Sequence, residues 1–328
     1  MKKYRLALVG ATGLVGRTVI NVLEEKKLPI EKYCFFSSNK SSGSKINFLG
    51  SEYIVKELKE DSFDEGFDYA IFCAGGSVSK KYAKIAVAKG VTVIDNSSIF
   101  RMDKNVPLVV PEVNFEDALN NRGIIANPNC STIQAVVALK PLDDKYKIKR
   151  IIYSTYQAVS GAGQKGIEDF ERTSKGLSNQ KFTYPIYNNC IPHIDDFLDD
   201  GYTKEEMKMI NETKKILHNK RIKVTATTVR VPVLNSHSES INVEFKNEID
   251  IDEIKKLLSC SPGIILEDDI KNNKYPLASN SSGSDYVYVG RIRRDYTVKN
   301  GINMWVVADN IRKGAASNAV QILERLIK

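Results

Sequence analysis

"YRLALVGATGLVGRTVINVLEEK", Tyr4–Lys26, decides the fold. "YRLALVG" reads as a buried strand, and "GRTVINVLEEK" reads as a helix. Between them Gly10, Gly13 and Gly16 form a G-x-x-G-x-x-G turn. A bare glycine pattern is a weak signal. A strand before it and a helix after it give it structural context. Glycine lets a ligand approach the backbone closely, and the amides that open a helix then face a pyrophosphate. A tight strand–helix turn with no ligand is the alternative. The context favours a dinucleotide site.

The same alternation continues outward from this stretch. "EKYCFFSS", "SEYIVKEL", "DYAIFCA" and "VTVIDNSS" read as strands, and "SKKYAKIAVAKG" reads as a helix. Such alternation builds a parallel sheet with helices on its faces. From about Lys149 the pattern changes. "KRIIYSTYQAV", "RIKVTATTVRVPV", "ESINVEFKN", "DYVYVGRIRRDY" and "INMWVVADN" are strands of period two, with "VKNG" as a hairpin turn before the last. "QKGIEDFERTS", "TKEEMKMINETKKILHNK" and "IDEIKKLLSC" are helices between them, and "GAASNAVQILERLIK" is a final helix. The expected class is α/β: a Rossmann-type parallel-sheet cofactor domain, then an α+β domain with a mostly antiparallel sheet. A length of 328 residues suits two domains.

Composition removes other classes. The net charge is +8, but the lysines are interleaved with Asp and Glu, and no basic tail or zinc finger accompanies them. No nucleic-acid function is expected. No window approaches the ~18 apolar residues of a membrane helix. "MKKYRLALVGATG" begins like a signal peptide, yet its short apolar run enters the glycine loop, so a cytoplasmic protein is expected. The five cysteines are odd in number and widely spaced, which argues for free thiols. "CIPH", Cys190–His193, lacks a second ligand pair, so no metal site is expected.

The second strand bears on which dinucleotide is used. An NAD site usually has an acid ~20 residues after the glycines. Here the strand ends in "FFSSNKSSGSK", with no acid. Ser37, Ser38, Lys40 and Ser41 offer hydroxyls and a cation that suit a 2′-phosphate. NADP is therefore expected, with a solvated polar loop as the alternative.

"ANPNCSTIQAVVAL", Ala126–Leu139, places Cys130 after a proline turn, with a helix expected from about Ser131. A sulfur at a helix start meets unpaired amides and the positive end of the dipole, and both favour thiolate. Next to a nicotinamide site such a thiol suggests oxidation of an aldehyde through a thioester, or the reverse. A structural thiol is the alternative. The chemistry needs an acid/base, and the histidines are His193, His218 and His237. His218 sits at a basic helix end and is expected to be solvated. His193 precedes what reads as an acidic helix, where it would orient or cap. His237, at a bend between two strands, is preferred to His193. Arg230, near the end of a strand, could grip a carboxylate with two prongs, or lie on the surface. Thr203 and Glu206 form a capping box. Glu205 and Lys208, three apart on that helix, share a face. They are either a surface ion pair or a bipolar cradle for a zwitterionic, phosphorylated substrate.

Together "GATGLVG", "SSNKSSGSK", "CAGGSVS", "DNSSIFRMD", "VPEVN", "NPNCST", "TYQAVSGAG", "IPHID", "EEMKMINETKKI", "RVPVLNSHSESINVEF" and "DNIRKGAASNAVQI" resemble the blocks of aspartate-β-semialdehyde dehydrogenases, in that family's order and nearly end to end. The resemblance implies reversible, NADP-linked conversion of L-aspartate 4-semialdehyde and phosphate to L-aspartyl 4-phosphate. The biosynthetic direction is reduction, which feeds the lysine, threonine, methionine and diaminopimelate routes. It implies Cys130 as nucleophile, His237 as acid/base and Gln157 as the residue that orients the intermediate. Arg230 would hold the α-carboxylate and Glu205 the amino group. Arg101 and Lys208 would bind phosphate, with Asn129 nearby. Gly10, Thr12, Gly13, Leu14, Val15, Ser37, Lys40, Ser41, Gly75, Ser160, Gly161 and Asn310 make up the expected NADP site. Lys40 stands where the family often has arginine, and Met207 where some relatives have an aromatic residue. The resemblance further implies a cofactor domain at 1–129, completed by a C-terminal helix at 311–328. A catalytic and dimerisation domain would span 130–310, in a homodimer or tetramer. The rivals are N-acetyl-γ-glutamyl-phosphate reductase, which is similar in fold and chemistry, the more distant glyceraldehyde-3-phosphate dehydrogenase, and a non-catalytic NADP-binding sensor.

Overall fold

A computed structural model describes residues 3–328, and the chain divides into two compact units. The first comprises residues 1–128 and 315–328, the second 129–314. Both boundaries differ slightly from 129/130 and 310/311. Asn129 belongs with the helix it caps. Residues 311–314 are tied back by Asp309, which accepts from the amides of Ile311 and Arg312 at Oδ1 and from Gly314 at its carbonyl.

The first unit holds strands β1 (Tyr4–Val9), β2 (Ile30–Ser37), β3 (Lys45–Phe48), β4 (Ser51–Ile54), β5 (Lys56–Glu57), β6 (Tyr69–Phe72), β7 (Thr92–Asp95) and β8 (Ile124–Ala126). Its helices are α1 (Leu14–Lys26), α2 (Gly76–Ala88) and the single turns α3 (Pro111–Asn114) and α4 (Glu116–Leu119). The main sheet has the order β5-β2-β1-β6-β7-β8 and is parallel throughout. Leu6, Ala7, Leu8 and Val9 are all buried, as expected of a strand covered on both faces. From β1 the chain winds outward to β2 and β5, then crosses back to β6 on the other side of β1 and continues outward to β8. This puts a topological switch point at the carboxyl end of β1, where the glycine loop lies. "SEYIVKEL" is two strands rather than one. Buried Val55 donates to the Ser44 carbonyl (2.9 Å) and separates β4, which pairs with β3, from β5 at the sheet edge. The C-terminal helix, Ser317–Ile327, places Ala319, Val320, Ile322, Leu323 and Ile327 in this unit's core. Asn318 pins it by donating to the Val109 carbonyl (3.0 Å) and Asn127 Oδ1 (2.7 Å).

The second unit holds α5 (Cys130–Tyr146), β9 (Ile148–Gln157), α6 (Gln164–Ser174), α7 (Lys204–Ile216), β10 (Lys223–Arg230), β11 (His237–Phe245), α8 (Ile251–Ser259), β12 (Ile264–Leu266), the turn α9 (Ala278–Ser281), β13 (Val287–Asp295) and β14 (Gly301–Ala308). Its sheet runs β10-β9-β11-β14-β13-β12. The β10–β9 and β12–β13 pairs are parallel and the other three antiparallel. Helix α5 packs on this sheet and is buried without a break from Ser131 to Leu139. The segment after His193 is irregular rather than helical. Its acidic residues have no apolar period to bury, and the ring of His193 stacks on Phe197, with 4.2 Å between centroids. Among the described residues no helix is long and apolar enough to cross a membrane.

Candidate functional site

In the first unit the three glycines have different physical roles. Gly10 is left-handed (φ 85°), and a Cβ there would lie 2.7 Å from the Cys73 carbonyl carbon of the neighbouring strand end. A Cβ on Gly16 would strike the Gly10 carbonyl oxygen. Those two close the strand–helix turn. Gly13 is exposed, and its Cβ would meet only the Gly10 carbonyl oxygen at 3.5 Å, so the protein leaves that position open to a ligand. Gly13 caps α1 without a side-chain hydrogen bond, and no acid stands in the first turn, so the positive helix end is not neutralised locally. Thr12, Leu14 and Val15 are half-buried around it. Gly75 starts α2 in an exposed, left-handed turn (φ 86°) with open space where a Cβ would be. This arrangement fits a pyrophosphate. Lys40 is exposed in a short turn, Asn39–Ser41, directly after β2. Ser37 is buried, and its hydroxyl donates to the Ser38 carbonyl (3.1 Å), so it is less available than Lys40 and Ser41. Arg101, also in this unit, is buried, with Nη2 donating to the Asn96 carbonyl (2.9 Å).

In the second unit, topology assembles the chemistry. Strands β9 and β10 run parallel with Gln157 and Arg230 in register, both at their carboxyl ends. Strand β11 runs antiparallel to β9 and starts at that same end with His237. Cys130, expected just before its helix, is the first residue of α5. Asn129 is the cap: its Oδ1 accepts from the amides of Ser131 (3.0 Å) and Thr132 (3.3 Å). Asn129 also donates from its amide to Glu212 (2.7 Å) and from Nδ2 to Glu205 Oε1 (2.9 Å). Its carboxamide is thus occupied on both atoms, and it positions the helix start rather than standing open. A Cβ on Gly314 would lie 2.9 Å from the Cβ of Cys130, so only glycine fits beside the sulfur's residue.

Glu205 and Lys208 are not a solvated surface pair. The capping box forms as expected, with Thr203 and Glu206 bonding reciprocally at the start of α7, and it aims Glu205 inward. Glu205 is buried. Its Oε1 accepts from Asn129 and from Gln157 Nε2 (3.1 Å), and its Oε2 accepts from Lys208 Nζ (3.0 Å). Burial alone would raise its pKa. The Lys208 charge and these hydrogen bonds outweigh burial and hold the carboxyl at about 2. Three of its roughly four lone-pair directions are used, which leaves room for one more donor. Lys208 remains partly exposed and also pairs with Asp195 (2.7 Å). Arg230 is buried, not superficial. Its Nη1 donates to the Ala158 carbonyl (2.6 Å), the one hydrogen bond of its guanidinium among the described residues, and its Cζ lies 5.9 Å from the Phe182 ring centroid. Burial lowers its pKa, against the opposing pull of Glu205 and Cys130.

His237 is fully buried, and its Nδ1 accepts from the Ala158 amide (2.9 Å). A backbone N–H can only donate, so the neutral ring carries its proton on Nε2. The approach of Gln157 Nε2 to His237 Nε2 is 3.5 Å, too long to compete. Burial first, and then Arg230, depress the imidazole pKa to about 3, with Glu205 opposing. The preceding residue, Ser236, is left-handed (φ 72°), and its amide is held by Asn310 Oδ1 (2.9 Å). Asn310 Nδ2 in turn donates to Ser160 Oγ (3.1 Å). Gly161 stands so close that a Cβ would lie 2.7 Å from Arg230 Nη1 and 3.2 Å from His237 Nε2. His218 is exposed and His193 lies outside this cluster's hydrogen bonds.

Sequence reasoning missed the backbone of Ala158, which serves both His237 and Arg230, and the close fit of Gly314. It also passed over Glu212, Gln134 and Glu239. The last of these carried a signal: an acid on the apolar parity of "HSESINVEF".

Two family descriptions match the chain: semialdehyde dehydrogenase, NAD binding domain, over residues 5–121, and semialdehyde dehydrogenase, dimerisation domain, over residues 139–313. Among curated proteins, the aspartate-semialdehyde dehydrogenase of Aquifex aeolicus is 54% identical over 99% of this chain and 98% of its own length. That of Campylobacter jejuni is 51% identical over 100% and 98%. Among solved structures, aspartate semialdehyde dehydrogenase II from Vibrio cholerae superposes with a TM-score of 0.96 at 46% identity, covering 99% of both chains. The Candida albicans aspartate semialdehyde dehydrogenase with NADP gives 0.77 at 26% identity, over 99% of this chain and 98% of its own. Identity of this extent over whole chains, joined to a thiol at a helix start, makes the chain an oxidoreductase of the aspartate-semialdehyde dehydrogenase family.

Proposed function

We propose that this enzyme reversibly converts L-aspartyl 4-phosphate to L-aspartate 4-semialdehyde and phosphate with NADP, through a thioester on Cys130. The observation that carries this reading is the gathering of Cys130, His237, Gln157, Arg230 and Glu205 at one end of one sheet. Cys130, as thiolate, attacks the acyl carbon. The C–S bond forms, the bond from the acyl carbon to the bridging phosphate oxygen breaks, and phosphate leaves with the bonding pair. Arg101 and Lys208 are the proposed phosphate ligands. Bound NADPH supplies the hydride that reduces the acyl carbon. The resulting oxyanion takes a hydrogen bond from His237 Nε2–H, the only ring proton that the Ala158 amide permits. Collapse then breaks the C–S bond and returns the electron pair to sulfur. Gln157 holds Glu205 and so orients the bound intermediate. Arg230 receives the α-carboxylate on its unused guanidinium edge, and the spare lone pair of Glu205 receives the ammonium.

That last contact separates the reading from N-acetyl-γ-glutamyl phosphate, whose amine is acylated and needs no buried anion. Lys40 and Ser41 are the proposed 2′-phosphate contacts, with Ser160, Gly161 and Asn310 completing the cofactor site. The second unit is proposed to pair with another copy. The outward row of its sheet carries Tyr156 and Trp305, 5.4 Å apart between ring centroids. The cysteines are free among the described residues, which suits a reducing cytoplasm. The reading places the enzyme in lysine, threonine, methionine and diaminopimelate biosynthesis.

The test is phosphate-dependent NADPH formation from aspartate semialdehyde, run beside the N-acetylglutamate analogue. Cys130→Ser should lose turnover by about 10³-fold or more and still bind NADP. Turnover preserved in that variant, or a preference for the acetylated substrate, would defeat the proposal.

A further inference from the structure

Glu239, on β11, is used by no step above. It is fully buried, and among the described residues neither carboxyl oxygen has a hydrogen-bond partner. It points to the same face of the strand as His237, two residues earlier, and as buried Ile241 and Val243. Its register partners are Thr155 on β9 and Val306 on β14. Gln134, on α5, reaches the same seam. Its Nε2 donates to the carbonyls of His237 (3.2 Å) and Val306 (3.4 Å), while its Oε1 is buried without a donor among the described residues. Gln134 is also one helical turn after Cys130. An acceptor that lacks a hydrogen and a carboxyl that lacks a partner thus occupy one buried seam. Each would cost stability alone, and each supplies what the other needs if the carboxyl keeps its proton.

We propose that Glu239 is a positioning residue for this reaction: as a neutral carboxylic acid it gives its O–H, directly or through one water, to Gln134 Oε1. This locks the amide of Gln134 on the His237 carbonyl and holds the nucleophile's helix against the strand of the imidazole. The groups around it agree. Tyr153 and Thr155 face it from β9, Gln134 from α5, Val306 from β14 and His237 from its own strand. Burial raises its pKa well above the ordinary carboxylate value. The Thr155 hydroxyl is already given to Gln157 Oε1 (3.0 Å).

The inference rests on the proposed thioester chemistry for its purpose, but its test does not. Infrared spectra of the intact enzyme at neutral pH should show a neutral carboxylic acid band that Glu239→Gln removes. Because the folded pKa is raised, the folded state holds a proton that the unfolded chain gives up. The associated stability is present below the unfolded pKa and is lost as pH rises through the folded one. The Tm of Glu239→Gln should therefore gain on wild type as pH rises. In turnover, the glutamine amide can replace the O–H donor, so Glu239→Gln should keep kcat within a few-fold. Glu239→Leu and Gln134→Leu should lower kcat by about tenfold or more with KM little changed. A carboxylate band alone, or equal kcat for the Gln and Leu variants at 239, overturns the proposal. The band decides the protonation even if a leucine variant fails to fold, and it is read whether or not the proposed substrate is turned over.

Discussion

The glycine loop of the first unit and the thiol centre of the second are built in opposite ways. The loop occupies residues 10–16, and its work is done by backbone: two glycines let chains touch and a third leaves space. The thiol centre draws Cys130, Gln157, Glu205, Arg230 and His237 from α5, β9, α7, β10 and β11. Its work is done by side chains that meet only after the sheet is paired. A backbone site must be contiguous and must use glycine, so it writes itself into a short motif. A side-chain site leaves scattered residues, each with an ordinary alternative reading.

Variants at glycine can break this contrast. Gly314 does for the thiol centre what Gly10 and Gly16 do for the loop, since its missing Cβ makes room for Cys130. Gly314→Ala should displace the nucleophile and reduce kcat by about 10²-fold, while NADP titration changes little. A kcat near wild type would mean that side chains alone set the sulfur. Gly13→Ala comes next. The protein has room for the methyl group, so Tm should hold, while the Kd for NADP should weaken about tenfold, or ~1.4 kcal/mol. A fall in Tm with unchanged Kd would reduce the loop to a packing turn. The smallest effect belongs to Lys40→Ala. An exposed cation is worth about 1 kcal/mol or less, so the ratio of kcat/KM for NADP over NAD should fall only a few-fold. An unchanged ratio would remove Lys40 from cofactor selection.

Much of the fold was legible. Strands β1, β2, β6 and β7 and helices α1 and α2 of the first unit followed from apolar runs and punctuating glycines, whereas β3 and the turns α3 and α4 did not, and α6 spans the stretch read as "QKGIEDFERTS". The errors have local causes. "SEYIVKEL" hides a change of partner at Val55, because strand propensity does not say which neighbour a strand pairs with. The acids after His193 were read as a helix although no apolar stripe would have held it. Asn129, expected near phosphate, also caps α5 and holds Glu205, a part that no local pattern of residues announces.

The sequence by itself determined the parallel cofactor domain, the glycine loop and the candidacy of a thiol at a helix start, because each depends on neighbours within a few turns of chain. Tertiary structure alone decided that Arg230 and Glu205 are buried, that the Ala158 amide dictates the His237 tautomer, and that Glu239 lies in a buried seam. Those properties depend on dielectric and on strand register. Both arise from residues tens of positions apart, so no window along the chain contains them.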